Sequence, residues 1–555
     1  MQTFEQLYKP VAVSTSDEPE SSGEELMRLF TAKPNSNLSE ATIEAYLSSL
    51  ALEFREASYV SSDIRVKQLV EKFAGSKLPA EPADINHYFN YLSENVVAHS
   101  THTSSPRFIG HMTSVLPWFV QPLSKLLTAL NQNTVKMETA KACTPLERHT
   151  LAIMHRLVYN FHDEFYRQHA QQSASTLGIM VSGGTVGNIT ALWCARNASL
   201  GPRNGFAGIE KEGLTAALKH YGYEGAVVIG SGLMHYSLEK AADLLGIGTR
   251  CLIRVATDKH NRIDIDALRR TVEDCRARRL HIIAMVGIAG TTDVGSIDPL
   301  EEMVKVAHEA RVHFHVDAAW GGPLLFSRRH KHLLSGIEQA DSVTIDGHKQ
   351  MYLPLGVGVL VLRDPLLAQS IEKQARYIVR ATSVDLGKRA LEGSRPANAL
   401  LLHAALHLIG PQGYEFLMDE GIRKARYLAG LLHMRPEFEL LGEPAINILN
   451  YRYVPQPLRE KVAAGNLTEG DHNSLNHFNE ELQKAQRQAG RTFVSRTLVE
   501  TARYGADRSL VALRAVLANP LTTEADLHEV LADQVGIAAQ LCLAQTSEAA
   551  KSANS

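Results

Sequence analysis

The sequence predicts an α/β protein: a mostly parallel central sheet, with an N-terminal helical segment before it and a C-terminal α+β domain after it. Three observations predict this. From about Gly178 to Leu362, short apolar runs rich in β-branched residues alternate with amphipathic helical stretches, the pattern of parallel strands covered by helices on both faces. The chain ahead of that region reads as helical and uneven in polarity, and after about Asp385 long helical stretches such as RKARYLAGLLH return with one further strand, SLVALRAVLANP. The resulting division is a helical segment over 1–104, a large α/β domain over 105–384, a small α+β domain over 385–545 and a disordered tail over 546–555.

Taken in order, the charged, Ser-rich start SDEPESSGEE has too few apolar residues to join a core. The strand candidates are GIMV, AVVIG, CLIRV, HIIAMVG, HFHVD, SVTI and GVGVLVL, each strand-sized and bounded by turn or helix signals. SLEKAADLLG and DPLEEMVKVAHEAR lie between them with apolar residues at helical spacing. Near the end, Thr522 or Thr523 is placed to cap the helix opened by TTEADLHEVLADQV.

Composition narrows the function classes. Lysine and arginine total 57 against 60 acidic residues, a formal charge of -3, which gives no bias toward nucleic acid or a membrane surface. No apolar run approaches the roughly 20 residues of a spanning helix. The first residues carry no basic stretch followed by an apolar core, so no secretory or transit signal is read there. The cysteines Cys143, Cys194, Cys251, Cys275 and Cys542 are scattered and form no CxxC pair. Reduced thiols in a cytoplasm are expected, with small molecules or other subunits as partners.

Ligands of such sheets bind beyond the carboxyl ends of the strands, so the residues after each apolar run come first. GIMVSGGTVGNITALWCAR reads as strand, glycine turn and helix, where Gly183, Gly184 and Gly187 let backbone approach an anion and Thr185 can donate to it. It is neither a Walker loop nor GxGxxG. In HFHVDAAW, alternation puts His313, His315 and Asp317 on one face. Two readings compete: a zinc or manganese site made by all three, serving a metal hydrolase, or Asp317 alone meeting a ligand while the histidines pack. Finally, Lys349 lies between SVTI and GVGVLVL, where a bare ammonium is costly unless paired or neutralised. A strand-end lysine, a phosphate cradle and a carboxylate on another strand are the three anchors that pyridoxal 5'-phosphate requires.

These residues resemble a known family. SGGTVGN, HYSLEKAADLLGIG, GTTDVGSIDPL, HVDAAWGGPL and DGHK are similar, in order, to motifs of the group II pyridoxal-phosphate-dependent amino acid decarboxylases, over roughly Ser105 to Val535. The resemblance implies the fold-type I aminotransferase architecture and a homodimer with interfacial active sites, residues 1–104 serving dimerisation. It implies a cofactor pocket of Ser182, Gly183, Gly184, Thr185 and Asn188, with His235 stacked on the ring and Ala319 on its other face. Thr291 or Thr292 would lie near the ring, Asp317 on its nitrogen, His348 near the phosphate, and Lys349 would bond its aldehyde. Tyr377, in ARYIV, matches the loop tyrosine that returns a proton to the substrate carbon. One departure stands out: most relatives carry Asn-Pro where this chain has Asp346-Gly347.

Within the family, HVDAAWGGPLLFSRRHKHLLSGIEQADSV resembles enzymes acting on glutamate, aspartate and cysteine sulfinate. HTSSPRFIGHMTSVLPWF and the run after it resemble the bacterial aspartate 1-decarboxylases, which supply β-alanine for pantothenate synthesis. By that resemblance Arg514 holds a substrate carboxylate, and His111, Thr113 and Asn133 line the neighbouring subunit's side of the pocket. Arg395, in EGSRP, is a further candidate. A non-catalytic scaffold that only binds the cofactor is the remaining alternative.

Overall fold

The seven predicted apolar runs form one sheet in the computed structural model, which describes residues 30, 40–80, 82–374, 383–501, 504 and 508–553. The strands are β1 (Gly178–Val181), β2 (Gly225–Ser231), β3 (Leu252–Val255), β4 (Leu280–Ile288), β5 (His313–Asp317), β6 (Ser342–Asp346) and β7 (Gly358–Leu362). Their order across the sheet is β1-β7-β6-β5-β4-β2-β3. Pairing is parallel from β6 through β5, β4 and β2 to β3, while β7 runs antiparallel to both β6 and β1. Since β7 reverses twice, β1 points the same way as β6. The carboxyl ends of β1, β2, β4, β5 and β6 therefore share one edge.

These strands are apolar along nearly their whole length because both faces are covered. Val343, Ile345, Val359 and Val361 are buried together with Phe314, Val316 and Met285, each such side chain contributing about 1.5–3 kcal/mol on leaving water. The helix Gly184–Ser199 crosses β7, β6, β5 and β4 on one face. Gly187 is where it comes closest, since a Cβ there would lie 2.8 Å from Thr344 Cγ2.

A second, antiparallel sheet of four strands follows: β8 (Phe438–Leu440), β9 (Ile448–Tyr453), β10 (Ser495–Thr501) and β11 (Arg508–Val516), ordered β10-β11-β9-β8. The last helix spans Glu524–Ala553, running through residue 546, where the sequence places the start of a disordered tail. Thr523 is its cap: its hydroxyl accepts from the Asp526 amide at 3.2 Å while its own amide donates to Asp526 Oδ2 at 2.8 Å. Thr522 donates instead to the Pro106 carbonyl.

The chain divides into two compact units, Met1–Ala57 with Pro79–Ala98, and Ser58–Leu78 with His99–Ser555. The first contains the helices Glu40–Glu56 and Ile85–Asn95, the latter capped by Asp84. In the second, both sheets stand together and residues 58–78 join them, a boundary different from the break at 104 read from the sequence. The reason lies in backbone pairing: the Val60 amide donates to the Gly490 carbonyl at 2.7 Å. Among the described residues no helix is long and apolar enough to cross a membrane.

Segment 107–110 runs against the residues that lead into β10: the Ile109 amide donates to the Phe493 carbonyl at 3.0 Å, and the Phe493 amide to the Arg107 carbonyl at 3.0 Å. Gly110 permits it, because a Cβ there would lie 2.2 Å from Ser495 N and 2.5 Å from Val494 C. Backbone atoms cannot yield as a flexible side chain does. Gly110→Ala is therefore expected to destabilise the protein by about 1–3 kcal/mol, read as a lower urea midpoint with an unchanged slope.

Candidate active site

Asp317 ends β5, and its carboxylate is buried and fully directed. Oδ2 accepts from Asn188 Nδ2 at 2.8 Å, and Oδ1 from the Ala319 amide at 3.1 Å. Asn188, on the glycine-turn helix, donates also to Ser237 Oγ at 2.9 Å, and its Oδ1 faces His315 Nε2 at 3.0 Å. Because Asn188 Oδ1 only accepts, His315 carries its hydrogen on Nε2. His315 Nδ1 then accepts from Ser342 Oγ at 2.9 Å, and that oxygen receives His313 Nε2 at 2.8 Å. A continuous chain of hydrogen bonds thus runs from His313 to Asp317.

This geometry corrects the metal reading. His313, His315 and Asp317 do share one face, but both imidazoles turn to Ser342, and Asn188 stands between His315 and the carboxylate. Among the described residues no group of three or more His, Cys, Asp or Glu side chains is placed to hold an ion. Burial pushes the His315 imidazole down to about 4, with Asp317 opposing, and lowers His313 as well. These are neutral bracing groups.

Lys349 follows β6 in a tight turn. Its Nζ lies 3.0 Å from Asp346 Oδ2, the pairing that half-burial of an ammonium demands. The next residues are each tied to different elements. Gln350 donates to the Trp320 carbonyl at 2.8 Å and accepts from Asn447 at 2.7 Å, and Trp320 Nε1 closes the loop on Asn447 Oδ1 at 3.0 Å. Tyr414 donates to the Met351 carbonyl. Tyr352 adopts φ of 59° and donates to the Ala518 carbonyl at 2.7 Å. His348 Nδ1 donates to the Val357 carbonyl at 3.0 Å, which turns Nε2 toward Asp346.

A cavity of about 380 Å³ gathers these groups. Ser182, Gly183, Gly184, Thr185, Asn188, His235, Thr292, Asp317, Ala319, His348 and Lys349 all line it. Of the two threonines left open by the sequence, Thr292 faces this cavity. Thr291 is buried behind it, its hydroxyl 2.9 Å from Ser296 Oγ. His235 is held by Ser237, whose amide donates to Nδ1 at 3.3 Å and whose hydroxyl lies 2.9 Å away. Burial is the main cause that lowers its pKa. Sequence reasoning gave no role to Ser237, Ser342 or Asp346; the signal for the last was an acid three positions ahead of the lysine, an i,i+3 pair.

Arg514, on β11, is nearly buried and lies beside this wall: Nη1 donates to the Thr292 carbonyl at 2.7 Å and Nε to Ser495 Oγ at 2.9 Å. Burial lowers its pKa while Asp293 opposes that. His111 bonds to Thr113 Oγ1 at 2.9 Å, and burial, then Arg514, then Lys349 lower its pKa. His111 thus stands within reach of the charges of its own chain's site, where the resemblance implies the neighbouring subunit's. Asn133 and Arg395 stand elsewhere. Arg395 makes a buried two-point pair with Glu147, at 2.7 Å and 2.5 Å, and its amide donates to Asn133 Oδ1. Its charge is already matched by Glu147, and it does not line the cavity that holds Lys349. Tyr377 lies outside the described residues.

Comparison with known proteins agrees with this geometry. Residues 68–454 match the family model "Pyridoxal-dependent decarboxylase conserved domain". An aspartate 1-decarboxylase of Aliivibrio fischeri is 44% identical over 95% of this chain and 96% of its own. The acidic amino acid decarboxylase GADL1 of Mus musculus is 28% identical over 66% of this chain and 64% of its own. Among solved structures, mouse CSAD superposes with a TM-score of 0.77 at 25% identity, covering 90% of this chain and 99% of its own.

The buried His315 makes stability depend on pH. Unfolded, its imidazole takes up a proton near 6.5, and folded only near 4. Between those values the unfolded state binds more protons. Its contribution is complete above pH 6.5 and is lost as pH falls toward 4, with a slope of up to about 1.4 kcal/mol per pH unit. In His315→Gln the loss of unfolding free energy between pH 6.5 and 5 is expected to be shallower by about 1 kcal/mol per pH unit. Urea titrations at both pH values measure it; parallel losses in the two proteins would contradict the assignment.

Proposed function

This chain belongs to the pyridoxal-dependent decarboxylases, and we propose that its reaction is the α-decarboxylation of an acidic amino acid, L-aspartate giving β-alanine and carbon dioxide. It is a pyridoxal 5'-phosphate-dependent carboxy-lyase of fold type I. The residues present fit that cofactor. Gly183 and Gly184 leave backbone open at a helix start, where a methyl group would press within 3.0 Å of His348 at the first and within 3.1 Å of Asp346 and Ala319 at the second, so an anion can reach the amides. The pocket also presents an amine, Lys349, and a carboxylate already oriented by two donors, Asp317.

When bound, the cofactor supplies an electron sink for the carbon that loses its carboxylate. The chain's own residues do the rest. Asp317 is the group to keep a proton on the ring nitrogen, and the Asn188 and Ala319 donors prevent it from rotating away. His235, neutral by burial, offers a flat face over the ring, with the small Ala319 opposite. Lys349 anchors the cofactor and yields its place to the substrate amine. Tyr377 is assigned the return of a proton to the substrate carbon.

Arg514 is the observation that carries the acidic substrate. Among the described residues only two of its N–H groups are spent, on Thr292 and Ser495, and a guanidinium has five. A nearly buried cation with unspent donors beside the cofactor pocket suits a carboxylate. Aspartate is favoured over other acids by the nearly full-length likeness to the Aliivibrio aspartate 1-decarboxylase. Glutamate or cysteine sulfinate is the competing reading, supported by the likeness to an acidic amino acid decarboxylase and to mouse CSAD. The working form in this reading is a cytoplasmic homodimer with interfacial sites, in line with five free cysteines.

A panel of amino acids with product identification tests the substrate: β-alanine from aspartate is expected to exceed γ-aminobutyrate from glutamate, and negligible turnover of every acid would reject the reading. Arg514→Gln is expected to lower kcat/KM for the preferred acid by about 100-fold, equivalent to about 2.7 kcal/mol of transition-state stabilisation. The absorbance of the bound cofactor should persist in that variant, separating lost substrate binding from lost cofactor.

A further inference from the structure

Asp346 is a buried acid at the head of the turn that presents Lys349, 2% exposed. Backbone walls it in. A Cβ on Gly184 would lie 3.1 Å from its Oδ2, and one on Gly358 would lie 3.0 Å from Oδ1. Among the described residues Oδ1 has no hydrogen-bond partner. Oδ2 faces two cationic candidates, Lys349 Nζ at 3.0 Å and His348 Nε2 at 3.7 Å. Of these only Lys349 stands at hydrogen-bond distance.

A carboxylate with one orphaned oxygen is expensive to keep here. Its tight glycine surroundings prevent escape to another rotamer or to solvent. It is therefore well placed only for what its other oxygen touches, the amine of Lys349. That amine must be an uncharged nucleophile to attack an aldehyde carbon. A carboxylate 3.0 Å away favours the ammonium instead, and an amide of the same shape favours it less.

We propose that Asp346 is a positioning residue acting through Lys349: it holds the free lysine as an ammonium, docked and non-nucleophilic, whenever the substrate or an empty pocket leaves it unbonded. To attack, the lysine gives up one proton, with the N–H bond breaking, its electron pair staying on nitrogen and the proton passing to solvent or to a neighbouring base. Asp346 opposes that step and so keeps the displaced lysine from recapturing the cofactor early. The proposal rests on the cofactor assignment and is independent of which acid is the substrate.

The test follows the lysine itself. The full-length chain is freed of pyridoxal phosphate and treated at pH 7.5 with a limiting amount of acetic anhydride, a small neutral acylating reagent. Labelling of Lys349 and of Lys424 is then counted by peptide mass spectrometry. Lys424 is an internal reference, a buried amine that donates to the Asn519 and Pro520 carbonyls at 3.1 Å and 3.0 Å, far from any of these groups in sequence. Asp346→Asn is expected to label at Lys349 roughly tenfold faster, with Lys424 unchanged. Asp346→Ser, smaller and also neutral, should do the same. Equal Lys349 labelling in wild type and both variants overturns the proposal, as does a rise at Lys424 matching that at Lys349, which would mean general loosening. An error in the cofactor assignment would show separately, as a wild-type chain that takes up no pyridoxal phosphate.

Discussion

The hydrogen bond between Asn188 and Asp317 is the contact on which the site depends. Its two residues lie 129 positions apart, one at the start of the helix after β1 and the other at the end of β5. An ionised carboxylate away from water must be satisfied by donors or be lost. Asn188 supplies one donor, and is itself held because Ser237 accepts from its amide nitrogen and His315, braced by Ser342, donates to its oxygen. The glycine turn, Asp317 and the loop carrying His235 are consequently held in register by one buried polar network. A half-satisfied version would be worse than an apolar core. Such a network stabilises by requiring completeness.

Parallel strand direction makes this economy possible. Because β1, β2, β4, β5 and β6 end at the same edge, groups distant in sequence arrive side by side, each from its own strand end. Glycines then set how near backbone can come: Gly187 lets the helix lie against Thr344, and Gly183 and Gly184 let the turn approach His348, Asp346 and Ala319. Side chains larger than hydrogen at these points would lift the helix start from the sheet edge. The amides of the glycine turn would then lose their place above the strand ends.

Much of this was legible in the sequence, for a physical reason in each case. All the strands of the large sheet were visible because each is a short apolar run buried on both faces, and Lys349 stood out because a charge between two such runs requires an explanation. In the second sheet, β8, β9 and β10 were missed. Strands such as FEL and SRTLVET are short or half polar and carry no strong period. The pattern His-x-His-x-Asp put its three residues on one face correctly, yet alternation cannot tell ligands from bracing groups, and Ser342 sits on another strand. Arg395 looked available because nothing local announces Glu147, which comes from a helix far upstream. Asp346 was visible as a departure from relatives, but its pairing with Lys349 depends on the turn's shape, which periodicity does not encode.

The turn after Lys349 joins the two halves of the chemistry. Tyr352 sits in the left-handed region at φ of 59°, a conformation that costs a non-glycine residue of order 1–3 kcal/mol. It persists because the ring is buried and its hydroxyl donates to the Ala518 carbonyl. Ala518 follows β11, the strand that carries Arg514, and Arg514 in turn holds the Thr292 carbonyl in the wall of the cofactor pocket. The amine proposed to anchor the cofactor and the guanidinium proposed to receive a carboxylate are thus connected twice, through Tyr352 and through Thr292. Neither tie passes through an exposed side chain, so water does not weaken them. Their spacing belongs to the fold itself, set before any ligand arrives, and a substrate must match it with the distance between its amine and its carboxylate.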